Sequence, residues 1–94
     1  MDSWQVVFTK KSAKQVAAVP EAIRLLLNVL RRDIEISGPV RGEWPNYSKL
    51  GPTRHHCHLK KRGRPTYVAC WEVVDRTVRI VEFYYVGTRE RAPY

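Results

Sequence analysis

Two rhythms of apolar and polar positions alternate along the chain. The opening segment Trp4-Gln5-Val6-Val7-Phe8-Thr9 is short, β-branched and aromatic, which predicts a strand. Residues 10–19 are polar helix formers and fit a short helix, with Thr9 or Ser12 as its cap. Pro20 stands where a second helix begins, followed by Glu21 in the first turn. Ile23, Leu26, Leu27, Leu30 and Ile34 then recur at helical spacing and define one apolar stripe, until Ser37-Gly38-Pro39 ends the helix. A Gly- and Pro-containing stretch, 38–53, reads as a loop with at most one strand turn. Three strand candidates follow, at 54–60, 66–74 and 77–86. The basic segment Lys61-Arg62-Gly63-Arg64-Pro65 joins the first two, and a tight Asp75-Arg76 turn joins the last two. Gly87 is expected to end the last strand and leave a charged tail.

This order, β-α-α-β-β-β, predicts an α+β domain. Two N-terminal helices pack on one face of a mainly antiparallel four-stranded sheet, and the other face stays open. In the last two strands Trp71 and Val73, with Val81, Phe83 and Tyr85, are expected to face the helices. Glu72, Glu82 and Tyr84 are then left outside.

Ninety-four residues make one domain, 1–94, with a modest core, and 44% hydrophobic content argues for a folded chain. No run reaches the ~20 apolar residues of a membrane span, and Met1-Asp2-Ser3-Trp4 lacks the pattern of a signal peptide. A cytoplasmic protein is expected, with Cys57 and Cys70 reduced and packed as small hydrophobes. The net charge of +8 changes the picture most, because it calls for an acidic partner: a nucleic acid or an acidic protein. Arg41, Lys49, Arg54, Lys60, Lys61, Arg62 and Arg64 bracket the open face as candidate RNA-binding residues. Trp44 and Tyr47 either stack on bases or tuck beneath the loop.

The densest chemical cluster is His55-His56-Cys57-His58. Strand alternation puts His56 and His58 on one face and His55 with Cys57 on the other. Three histidines divided between two faces do not make a four-ligand zinc site, so no metal and no cofactor are expected. A one-residue slip of register would bury His56 and His58 against the helices.

The element order resembles the RelE/ParE superfamily of bacterial type II toxin–antitoxin toxins. So do Val40-Arg41-Gly42, the strand Tyr67-Val68-Ala69-Cys70-Trp71-Glu72-Val73-Val74-Asp75, and above all the ending Tyr84-Tyr85-Val86-Gly87-Thr88-Arg89-Glu90. The resemblance is closest to RelE-like mRNA interferases. It implies a ribosome-dependent endoribonuclease in which the ribose 2′-OH attacks the adjacent phosphate, so that RNA supplies its own nucleophile. It also implies an acidic cognate antitoxin as partner. The ParE branch shares the fold and poisons DNA gyrase without catalysis, which is the alternative reading. A plain RNA-binding module is disfavoured because ribonucleoprotein motifs are absent.

The resemblance places His56 and His58 at positions where RelE-like toxins carry catalytic lysines. An imidazole with an ordinary pKa near 6.5 suits acid–base work there, and His58 is the first choice. Arg89 matches the arginine that follows the glycine of the last strand, and its planar fork suits a phosphate in transition. Tyr94 falls near the C-terminal tyrosine of that pattern, in a base-stacking or proton-transfer role. Glu72 is a carboxylate candidate for base, with pairing to a neighbouring arginine as its other fate. One departure stands out: Val68 occupies the position where the pattern has an arginine. Arg62 or Arg64 then has to reach in from the hairpin loop, or that part of the phosphate clamp is missing.

Overall fold

The computed structural model describes residues 3–94. Met1 and Asp2, part of the N-terminal stretch read for a signal, lie outside the described residues. Strand β1 is Gln5–Phe8, helix α1 Lys10–Ala18 and helix α2 Glu21–Ser37. Strands β2 (Ser48–Lys49), β3 (Arg54–His58), β4 (Tyr67–Asp75) and β5 (Ile80–Thr88) follow, and a 3₁₀ turn covers Arg89–Arg91. The α+β class and the two N-terminal helices agree with the sequence reading. The sheet has five strands rather than four, in the order β1-β5-β4-β3-β2, because the loop contributes the two-residue edge strand β2. All neighbours are antiparallel except β1 beside β5. No helix among the described residues is long and apolar enough to cross a membrane.

Local chemistry explains the helix ends. Thr9 caps α1, its Oγ1 accepting from the Ser12 amide at 3.0 Å. Gly38 closes α2 at φ 96°, a left-handed conformation that glycine adopts without strain, and its amide donates to Ile34 O. Ile23, Leu27, Leu30 and Ile34 are buried along the predicted stripe. They meet Cys57, Ala69, Trp71, Val73, Val81, Phe83 and Val86 from the sheet in one core.

Three details of β5 depart from simple alternation. Cys70 pairs with Tyr85 and Trp71 with Phe83, so Tyr84 is an extra residue, a β-bulge. The bulge reverses the alternation beyond it. Tyr85 packs with Val68 and Cys70 on the open face, where a helix-facing side chain was expected, and Val86 enters the core instead. The turn before β5 is longer than Asp75-Arg76: Asp75 Oδ1 accepts from the Thr77 and Val78 amides, and Arg79 takes φ 60°. Gly87 does not end the strand, which pairs on through Thr88. Its missing Cβ makes room for Tyr85, since a Cβ there would stand 2.8 Å from Tyr85 Oη.

Past Phe83 the outer edge of β5 has no strand beside it among the described residues, and α1 takes over. Ser12 Oγ donates to Phe83 O at 2.8 Å, and Gln15 Oε1 accepts from the Val86 amide at 3.0 Å. Gln15 thus satisfies a backbone amide beyond the end of β1, and Ser12 adds a second donor to Phe83 O, which also accepts from the Thr9 amide at 3.0 Å.

Candidate functional site

The register of β3 decides the site. Arg54 pairs with Glu72, His56 with Cys70 and His58 with Val68, so His56 and His58 share the open face with Cys70 and Glu72. His55 pairs with Trp71 and turns inward. It stacks on the Trp71 ring with centroids 5.8 Å apart, and its Nδ1 lies 2.6 Å from Tyr47 Oη. Burial, with Lys49 and Arg76 nearby, depresses His55 to about 4.

On the open face four of the predicted residues come together. The His56 and His58 rings are 6.3 Å apart, and the Tyr94 ring lies 4.5 Å from that of His56. The positive charge of Arg89 acts on all three. Burial holds His56 below the ordinary imidazole range, opposed by a hydrogen bond with the Ser48 backbone and reinforced by the charge of Arg89. Burial, His56 and Arg89 hold His58 down in the same way. Both imidazoles are therefore mainly neutral at pH 7, the form that accepts a proton. Burial raises the Tyr94 hydroxyl, with Cys70 adding and Arg89 opposing, which keeps it protonated and able to donate.

The remaining candidates divide. Glu72 lies one pleat further along β4, about 7 Å by strand rise from Cys70. There Arg54 Nε engages it at 3.3 Å and Thr53 Oγ1 donates to it at 3.2 Å. Arg54 also lies over the Tyr84 ring, 4.8 Å from its centroid. Glu72 thus has the ion-pair role rather than a place in the histidine group. Arg41 is held at the end of α2, donating to Glu43 at 2.7 Å and to Ser37 O. Lys49 pairs with His55 and so projects from the inward side of edge strand β2. Neither joins the cluster.

Lys60, Lys61, Arg62 and Arg64 are exposed in the β3–β4 loop. Of these, Arg64 shares a cleft of about 580 Å³ with Arg89, Pro65, Thr66 and Glu90, and the Arg89 amide donates to Thr66 O at 2.9 Å. Val68 is fully buried beneath the open face, packed with Cys70 and Tyr85, so no cation comes from that position.

Trp44 and Tyr47 take the tucked alternative. Trp44 Nε1 donates to Asp33 at 2.9 Å, and both rings pack against the core. Cys57 and Cys70 are free, buried and on opposite faces. Burial pushes Cys57 far above the thiol range and Cys70 to about 12, so neither is a nucleophile at neutral pH.

Sequence reasoning missed Ser48, whose Oγ lies 3.1 Å from His56 Nδ1. A two-residue strand carries no periodicity to reveal it.

No protein-family model matches the chain, and no curated protein matches it by sequence. Two solved structures match its backbone. One is a mutant of the E. coli toxin RelE in the free state, with a TM-score of 0.72 and 15% identity, over 97% of this chain and 88% of that one. The other is the archaeal RelE–RelB complex of Pyrococcus horikoshii, with a TM-score of 0.71 and 15% identity, over 97% of this chain and the whole of its match. With that backbone similarity and near-complete coverage in both comparisons, the chain has the RelE fold.

Proposed function

We propose that this chain is the toxin of a RelE-type toxin–antitoxin pair and cleaves mRNA on the ribosome by transesterification. The observation that carries the reading is the convergence of His56, His58, Arg89 and Tyr94 on the sheet face that the helices leave open.

The chemistry needs a base for the ribose 2′-OH, a cation for the charge that builds on phosphorus, and an acid for the leaving 5′ oxygen. His58 is the more exposed of the two open-face imidazoles and is neutral at pH 7, so it takes the 2′-OH proton. The oxygen bonds to phosphorus, the P–O5′ bond breaks, and a 2′,3′-cyclic phosphate and a 5′-hydroxyl result. Arg89 supplies a fixed charge to the phosphorane oxygens. Tyr94 has its hydroxyl protonated and within the same group, and gives the leaving oxygen its proton. Protonated His58 then returns its proton to solvent, and the Tyr94 phenolate takes one back, which restores both groups. Arg64 across the cleft from Arg89, with Lys60, Lys61 and Arg62 beside it, holds flanking phosphates.

The excess of positive charge also supports an acidic antitoxin as partner, in keeping with the archaeal relative, which was solved with RelB. The test is toxicity on induction in a bacterium, compared with the folded His58→Ala/Arg89→Ala double variant. The double variant is expected to be harmless and to keep the wild-type circular dichroism. Full toxicity from the folded double variant would overturn the site.

A further inference from the structure

Two consecutive residues of the loop before β3 present hydroxyls to two consecutive histidines, one on each side of the sheet. Tyr47 Oη meets His55 Nδ1 on the helix side at 2.6 Å, and Ser48 Oγ meets His56 Nδ1 on the open side at 3.1 Å. The second contact is built into the fold, because Ser48 and His56 are directly paired residues of β2 and β3. The first serves packing, since His55 lies in the core against Trp71. The second has no packing to serve, because Ser48 is exposed on an edge strand.

We infer that Ser48 is a positioning residue of the active site, which engages Nδ1 of His56 and so holds the ring's tilt toward Tyr94 and His58. The inference rests on the nuclease reading for its catalytic half and on geometry alone for its histidine half. An imidazole whose Nδ1 is engaged offers only Nε2 to other partners. Freed from the Ser48 hydroxyl, the ring is able to flip, and the contact with Tyr94 loosens. The groups facing His56 are Ser48 from β2, Cys70 from β4, His58 from its own strand, and Arg89 and Tyr94 from the C-terminal segment. The Ser48 backbone, which favours the protonated ring, stays in place when the hydroxyl is removed, so a Ser48 variant isolates the Oγ contact.

The experiment compares wild type, Ser48→Ala and Ser48→Thr on the intact chain, by imidazole ¹⁵N NMR titration of the free protein and by ribosome-dependent cleavage rates. In Ser48→Ala the ring nitrogen shifts of His56 are expected to change. Its kcat should fall about fivefold, the worth of one neutral hydrogen bond, with KM little changed. Ser48→Thr keeps the hydroxyl and is expected to restore both. Unchanged His56 nitrogen shifts in Ser48→Ala would overturn the inference whatever the activity. Altered shifts with unchanged kcat would overturn the catalytic half. A wild-type chain that cleaves no RNA would refute the nuclease reading, while the NMR titration would still decide the link between Ser48 and His56.

Discussion

The two faces of the sheet give one residue type two opposite fates. His55 faces the helices, is 2% exposed, stacks between Tyr47 and Trp71, and stays neutral down to acid pH. Its neighbour His56, together with His58, faces the side without helices and lies beside Arg89 and Tyr94. The difference is one step of strand alternation. Apolar neighbours turn the inward histidine into a packing element. Of the outward pair, His56 is itself buried, and the half-buried His58 keeps the access to solvent that acid–base chemistry needs.

The comparison breaks hardest at Trp71. This ring is fully buried, contacts His55, Tyr47 and Phe83, and donates from Nε1 to Pro39 O at 2.9 Å. Trp71→Ala is expected to cost about 3–5 kcal/mol by cavity formation and the lost hydrogen bond, read by urea denaturation. That is a large share of a small domain's stability, so the inward face, not the site, sets the melting point.

Acid titration separates the faces next. His55 has a folded pKa of about 4 against an unfolded value near 6.5. Above pH 6.5 both states are neutral and its contribution is fully present. As pH falls toward 4 the unfolded chain binds a proton that the folded chain refuses, so stability drops by about 3 kcal/mol in all. His56 and His58 are shifted in the same direction and add to the slope. His55→Gln is expected to flatten the stability–pH curve between 6.5 and 4. An unchanged slope would mean that the outward pair carries it.

The bulge allows a finer test. In Gly87→Ala the new methyl meets Tyr85 Oη and Cζ, at 2.8 and 3.1 Å, and disturbs the Tyr85 hydroxyl's hydrogen bond to Thr88 O. A loss of about 1–3 kcal/mol is expected. Tyr85→Phe in the same background should recover part of it, a coupling that a double-mutant cycle measures. The smallest effect belongs to Arg54→Ala. Its ion pair with Glu72 is half-exposed, and thermal unfolding should show a change below about 1 kcal/mol.

These tests also mark how far the sequence could be read. The α2 stripe and the alternation of β3 were legible because each rests on a repeated period, and the second of these put His56 and His58 on the correct face. The bulge at Tyr84 was not, since one inserted residue looks the same as continued alternation until the partner strand is known. It turned Tyr85 outward and Val86 inward. Gly87 looked like a terminator, but its role is to clear space for a tyrosine two residues away. Arg41 and Lys49 were grouped with the open face by charge alone. Charge carries no direction, and the fold sends both elsewhere. Ser48 was invisible because its role depends on a strand pairing across a loop.

The most direct measurement is 5′-end mapping of mRNA after brief induction of the chain in a bacterium, beside the His58→Ala/Arg89→Ala variant. New ends inside translated codons, bearing 5′-hydroxyls and absent with the variant, are the expected result. Growth arrest with intact mRNA and altered DNA supercoiling would contradict the account and move the chain to the gyrase-poisoning branch of the same fold.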